Sequence, residues 1–276
     1  MYENIIDLTS KEFLLDDAVN AYWGEILPLD NLKPLPEQFE LINKQLRQKY
    51  GNDVIDKFDI LSNDFYSSYI GRKKFIDYAY GTGLYREISP NYSFEGREIL
   101  KVLINKLSDT PPRSLFDVGC ADLQIGLGLA IYLPKLDMNI YGVDDSVCAN
   151  KLAQTYIDKY YKQNNLTGEI IVENLDYINI NAVSSFMKRY SSIDTVLFSR
   201  PDNFFDAEDF IIQMRSNNKK VIGSFACGKE RDYDLETNII LFQDAINYGA
   251  YSTRFVPTHV KEVNYRIILV GEFETY

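Results

Sequence analysis

Ser114-Leu115-Phe116-Asp117-Val118-Gly119-Cys120-Ala121-Asp122 is the stretch that decides the fold. An apolar strand ends in an acid and then enters a turn of small residues. Gly119 reaches backbone conformations that other residues avoid, so the chain can bend there and let a ligand approach the main chain. A second apolar run, Ile140-Tyr141-Gly142-Val143-Asp144, also closes on an acid. A tight turn beside a carboxylate makes a nucleotide-shaped corner, with the carboxylate placed to hold a ribose. An ionised carboxylate offers two acceptor oxygens to two neighbouring hydroxyls.

Beyond this corner, strands alternate with helices. Strands are expected over residues 115–118, 139–143, 169–173, 195–199 and 220–225. Helices are expected over 123–133, 147–163, 182–190, 207–216 and 236–248. Such alternation builds a parallel sheet with helices on both faces. The last two strands, 251–256 and 265–272, have no helical pattern between them and must run antiparallel. The expected fold class is therefore α/β: a doubly wound, seven-stranded, mostly parallel sheet with a C-terminal antiparallel hairpin.

Upstream the patterns are helical. Thr9-Ser10-Lys11-Glu12 reads as a capping box that opens a helix through Trp23. A proline-interrupted connector runs from Leu27-Pro28 to Pro36. A helix over 37–50 stops at Gly51, and another starts at Asn52 or Asp53 with a break near Asn63. Gly81-Thr82-Gly83 is a loop. Residues 93–107 put Ile99, Leu100, Leu103, Ile104 and Leu107 on one helical face, and Pro111-Pro112 follows. Residues 1–92 are expected to form a helical extension or lid, and 93–276 the doubly wound domain.

Composition narrows the function. Of 276 residues, 46% are hydrophobic, enough for a substantial core. There is no apolar run of about 18 residues, so no membrane span is expected. The start, Met1-Tyr2-Glu3-Asn4, lacks a signal-peptide pattern, and a cytoplasmic protein is expected. Cys120, Cys148 and Cys227 show no metal-ligand spacing, and no metal is expected. A net charge of -11 disfavours a phosphate backbone as partner. Basic clusters are short, as in Arg72-Lys73-Lys74, which reads as a solvated helix face.

On the turn around Gly119 and the acid at Asp144, the chain resembles the class I S-adenosylmethionine-dependent methyltransferases. The family's first strand ends Asp/Glu-x-Gly-x-Gly-x-Gly, matched here by Asp117, Gly119, Ala121 and Leu123. Ala121 is a small replacement, whereas Leu123 is a larger departure that shifts the loop toward the following helix. The resemblance covers about residues 95–276. It implies S-adenosylmethionine as cofactor, with Asp117 orienting the loop and meeting the methionine amino group. It implies that Asp144 accepts both ribose hydroxyls, with the adjacent Asp145 as alternative. Asp176 would bind the adenine amine and Tyr177 would pack on the ring, with Asn174 and Leu175 close by. Ser199 ends the fourth strand at the edge that faces the methyl group. The tetrapeptide Asn/Asp-Pro-Pro-Tyr/Phe of base-methylating relatives is replaced by Ser199-Arg200-Pro201-Asp202, so amino-group methylation of a base gains no support. The nicotinamide fingerprint Gly-x-Gly-x-x-Gly fails, since its second and third glycines fall on Ala121 and Gln124.

On the acceptor side, Asp202 can act as a base or bind an amine, Arg200 can clamp a carboxylate, and Asn203 is close behind. His259, the only histidine, reads as an exposed turn residue between the last two strands. Tyrosines crowd residues 66–85 and include Tyr66, Tyr69, Tyr78, Tyr80 and Tyr85. They can line a lid over the site, with Tyr80 in contact with substrate, or simply pack the helices. The expected activity is methyl transfer to an O or N atom of a small molecule or peptide. The alternatives are aminocarboxypropyl transfer or cyclisation of the same cofactor, and a binding module without catalysis. The sequence leaves the assembly state open, with a homodimer as one candidate.

Overall fold

The computed structural model of the chain describes residues 5–10, 16–24, 36–65, 68–85, 90–133, 137–199, 207–230, 232–263 and 266–276. Among the described residues, strand β1 (Ile6–Asp7) is followed by the helices α1 (Asp16–Gly24), α2 (Pro36–Tyr50), α3 (Asn52–Asp64), α4 (Tyr69–Thr82) and α5 (Pro90–Leu107). Alternation then sets in with β2 (Ser114–Val118), α6 (Gln124–Tyr132), β3 (Asn139–Asp144), α7 (Val147–Gln163) and β4 (Ile170–Asn174). It continues with α8 (Ile180–Arg189), β5 (Thr195–Ser199), α9 (Glu208–Ser216), β6 (Lys220–Gly228) and α10 (Leu235–Asn247). The hairpin β7 (Thr253–Val263) and β8 (Arg266–Thr275) closes the chain.

The strands form one sheet in the order β1-β7-β8-β6-β5-β2-β3-β4. Strands β2 to β6 run parallel, and β8 lies antiparallel between β6 and β7. This is the expected sheet with one strand added. The short β1 pairs parallel with β7, Ile6 opposite His259, and two residues are too few to leave a periodic signal. From β2 the chain winds outward to β3 and β4, then returns to β5 on the other side. The carboxyl ends of β2 and β5 therefore flank the switch point, where open α/β sheets bind ligands.

Apolar alternation along the strands feeds two cores. Leu115, Ile140, Leu197, Ile222 and Ile268 face one side, together with Leu100, Leu103 and Leu127 of the helices. Phe116, Val143, Phe198, Val221 and Leu269 face the other, with Phe186 and Phe210. Asp117 falls on the same face as Leu115, one pleat further on. Val19 and Tyr22 of α1 join the first core, whereas α3 and α4 share a small core of their own around Ile55, Phe58, Ala79 and Leu84. No helix among the described residues is long and apolar enough to cross a membrane.

Several boundaries differ from the sequence reading. Helix α1 is described from Asp16 and Thr9-Ser10 form a turn behind β1; the start expected for this helix, with Lys11 and Glu12, lies outside the described residues. The hairpin is longer than expected. Pro257, which has no N–H for a ladder, suggests a strand end, but here it sits at a β-bulge and the strand continues to Val263. His259 is consequently not an exposed turn residue. It lies on β7, 7% exposed, with Nδ1 2.9 Å from the Thr258 hydroxyl.

Candidate functional site

The loop from β2 to α6 takes the left-handed backbone region three times in five residues, at Gly119 (φ 64°), Ala121 (φ 48°) and Leu123 (φ 62°). A side chain in that region is strained by about 1–2 kcal/mol. The loop thus keeps a glycine-rich trajectory at two positions that lack glycine. What holds it is internal bonding. Cys120 N donates to Val143 O (3.0 Å), Ala121 N to Asp144 Oδ2 (2.9 Å), and Leu123 N to Cys120 O (2.7 Å). The Leu123 side chain is fully buried and fills the space where Gly126 and Gly142 carry no Cβ. A Cβ on Gly142 would stand 2.7 Å from Leu123 Cδ1. The departure at Leu123 is matched by two glycines elsewhere.

Asp117 is 1% exposed. One carboxylate oxygen takes the Gly126 N–H at the start of α6. The approach is so close that a Cβ on Gly126 would stand 2.7 Å from Oδ2. The other oxygen, Oδ1, is buried and has no hydrogen bond. Burial is the main cause that pushes this carboxyl up to about 7, opposed by the Gly126 N–H and reinforced by the charges of Asp144 and Asp122. Nearby, Asp122 accepts from Gln124 Nε2 at 2.7 Å, and Tyr22 of α1 donates to Gln124 O at 2.9 Å.

Asp144 joins two loops. Its Oδ2 accepts from Ala121 N and its Oδ1 from Ser146 N (2.8 Å). Its own carbonyl accepts from Leu175 N, Asn150 Nδ2 and Asn174 Nδ2. Ser146, not Asp144, is the N-cap of α7, accepting from Ala149 N. Asp145 pairs with Lys73 of α4 at 3.5 Å. The same helix brings Asp77 onto Ser146 and Cys148. Asp77 left no trace in the sequence reading, because nothing local marks a contact between residues 69 apart.

The third strand's loop reaches this corner as well. Among the described residues, a Cβ on Gly119 would have Tyr177 Cε1 as its near neighbour, at 4.0 Å. Tyr177 is fixed edge-on against Phe198 and Phe210. Asp176 is turned into its own loop, where Oδ1 accepts from Ile178 N at 3.0 Å. Ser199 lies at the end of β5, its hydroxyl 3.1 Å from that of the fully buried Ser224. Asp117, Gly119, Ala121, Asp144 and Tyr177 therefore meet in one corner. Tyr80 is 8% exposed and stacks on Tyr85 at 4.1 Å, and Tyr78 donates to Val54 O. Arg200, Asp202, Asn203 and Tyr66 lie outside the described residues.

The inserted hairpin, the switch point beside β2 and the two joined loops appear together. The chain thus has a Rossmann-like, doubly wound fold whose parallel sheet ends in an inserted antiparallel hairpin. Solved structures similar to it share little sequence. One is PH0793 of Pyrococcus horikoshii, with 11% identity over 67% of this chain and 63% of that one and a TM-score of 0.40. Another is the precorrin-6y C5,15-methyltransferase of Geobacter metallireducens, with 10% identity over 65% and 89% and a TM-score of 0.39. A third is the methyltransferase domain of bacterial CtHen1, with 15% identity over 65% and 98% and a TM-score of 0.43. The chain thus spans less than two thirds of PH0793. No family model and no curated protein matches the sequence. At such identities and scores these likenesses do not bear on what the chain binds.

Proposed function

We propose that the chain is an S-adenosylmethionine-dependent methyltransferase that transfers a methyl group to an O or N atom of a small molecule or peptide. The observation that carries this reading is the Asp117 carboxylate at the start of α6. A helix N-terminus after a glycine turn is ordinarily an anion site. Here a buried acid already takes the Gly126 N–H, and the N–H groups of Cys120, Ala121 and Leu123 are bonded within the protein. A pyrophosphate entering this corner would meet a carboxylate and few donors, which weighs against a dinucleotide. A nucleoside that carries cations suits it.

The residues present fit that group. Gly119 leaves a gap walled by the Tyr177 ring edge, and Asp117 Oδ1 is a buried acceptor with no hydrogen bond. Asp144 would hold the ribose hydroxyls with Asp145 beside it, Tyr177 would pack on the adenine with Asp176 near its amine, and Asp117 would face the ammonium. When bound, S-adenosylmethionine supplies a methyl carbon already activated by its sulfonium. The chain's own task is then to align the acceptor and exclude water, worth about 7–11 kcal/mol in favourable systems. Ser199 ends the strand at the acceptor edge. Arg200 and Asp202 follow it in sequence and are the candidates for a carboxylate clamp and a base, with Tyr80 as a further candidate from α4. The net charge of -11 favours a small molecule or peptide over nucleic acid as acceptor.

Isothermal titration of the purified protein with S-adenosylhomocysteine tests the reading. Binding is expected, and Asp144→Ala should weaken it by about 2 kcal/mol, the size of a lost charge-assisted hydrogen bond. Tight binding of a nicotinamide dinucleotide, with no heat from S-adenosylhomocysteine, would end it.

A further inference from the structure

We infer that Asp77, on a helix upstream of the doubly wound domain, is a positioning residue for the cofactor carboxylate Asp144. The inference rests on the cofactor reading above and extends it to residues outside the loop motif. The geometry is a chain of hydrogen bonds, each link ordered by the next. Asp77 Oδ1 accepts from the Ser146 hydroxyl at 2.6 Å and from Cys148 N at 3.4 Å. Ser146 is 1% exposed, and its Oγ also accepts from Ala149 N at 3.1 Å, so its hydroxyl is fixed both as donor and as acceptor. Ser146 N donates to Asp144 Oδ1 at 2.8 Å, and Asp144 Oδ2 accepts from Ala121 N at 2.9 Å. Asp77 thus stands two links from the carboxylate and three from the loop after β2.

The sequence of α4 explains why this helix does the work. Lys73, Asp77 and Gly81 recur every four residues and share one face. That face lies on the start of α7: Lys73 pairs with Asp145 at 3.5 Å, Asp77 meets Ser146, and a Cβ on Gly81 would stand 3.3 Å from Cys148 Sγ. A carboxylate at this place also complements the positive end of α7. The α3–α4 pair holds its own small core, and α4 meets the start of α7 through the Lys73–Asp145 pair and the Asp77–Ser146 bond. Seating α4 and orienting Asp144 are therefore the same event. Loss of Asp77 removes the acceptor of the Ser146 hydroxyl and so one of the constraints on the segment that orients Asp144, while the Ala149 and Ala121 N–H bonds and the apolar cores stay in place.

The test is a double-mutant cycle read by titration with S-adenosylhomocysteine. Asp77→Ala is expected to weaken binding about tenfold in the wild-type background and to have no further effect in an Asp144→Ala background, because its action passes through that carboxylate. Asp77→Asn, which keeps an acceptor oxygen, should restore affinity to within about threefold of wild type. Amide exchange in the absence of ligand gives a second readout: Asp77→Ala should speed exchange at Ala121 and Ser146 and leave β2 and β5 protected. Unchanged affinity in Asp77→Ala, or equal losses in both backgrounds, overturns the inference while leaving the cofactor reading intact. A wild-type protein that does not bind S-adenosylhomocysteine removes the cofactor reading, and this inference with it.

Discussion

Glu98 and Asp117 are both closed to solvent, 3% and 1% exposed, yet their carboxyls are pushed in opposite directions. Burial alone would raise Glu98, but Lys261 at 2.7 Å, Lys101 at 3.4 Å and Arg97 at 3.0 Å hold it below the usual carboxylate range. Burial raises Asp117 too; a single backbone N–H opposes it, two further acids add to it, and no cation is among its causes. The difference is the supply of positive charge. Around Glu98 that supply comes from the protein itself, and the result is a seam that ties α5 to β7. Around Asp117 it is missing among the described residues, which is what the proposed cationic cofactor would supply.

The largest effect should come from breaking the satisfied member of the pair. Lys261→Met removes the nearest partner of Glu98 and leaves a buried charge short of compensation. Such losses run to about 3–5 kcal/mol. The sign with pH follows from the lowered carboxyl: the contribution of Glu98 is present above the unfolded carboxylate pKa and disappears on acidification through the folded one. Urea unfolding at pH 7 should show the full loss, and the gap from wild type should narrow on acidification. A loss under about 1 kcal/mol at pH 7 would place Glu98 among the weak surface pairs and dissolve the contrast with Asp117.

How far this contrast was legible in the sequence depends on the range of each contact. The apolar runs before Asp117 and Asp144 put both acids at strand ends, and alternation placed those strands side by side. That is local information, and the corner of Asp117, Gly119, Ala121 and Asp144 came with it. Leu123 looked like a flaw in the motif because its compensation is tertiary: Gly142 and Gly126 each leave room for its side chain. A glycine inside a strand and another inside a helix are a readable signal of close approach, although neither says what approaches. Asp77 and the Glu98 cluster were invisible for the same reason. Ser146 stands 69 residues from Asp77 and Lys261, which ties the cluster to β7, 163 from Glu98, and no periodicity links an acid to a partner at that distance. His259 was misplaced because Pro257 imitates a strand end, and a bulge is decided by the partner strand.

The unsatisfied member gives the next effect. Asp117 has a folded pKa near 7 against 3.8 as the ordinary value. A raised carboxyl means that the folded state holds a proton which the unfolded chain has released. The stability it contributes is complete below about pH 4 and is lost as pH rises through 7, up to about 4 kcal/mol in all. Asp117→Asn removes that dependence. Against wild type, the variant should gain stability steadily between pH 4 and 7 and hold a constant advantage above pH 8, as read by urea midpoints across the range. Parallel curves for the two proteins would mean that Asp117 is ionised throughout, as Glu98 is near neutrality.

The smallest effect is the most specific to the proposed ligand. Under the proposed function, the ammonium and sulfonium of S-adenosylmethionine would supply the positive charge that Asp117 lacks among the described residues. Their arrival should lower its pKa as Lys261 and its neighbours lower that of Glu98, and a proton must then leave. With a pKa near 7 in the free protein, about half a proton should be released per ligand bound at pH 7, falling toward zero above about pH 9. Titration calorimetry in two buffers of different ionisation enthalpy measures that number directly. Asp117→Asn should abolish the release, whereas Asp144→Ala should weaken binding and keep it. Proton uptake, or release that survives Asp117→Asn, would move the titrating group elsewhere and leave the buried acid as a structural strain within the turn.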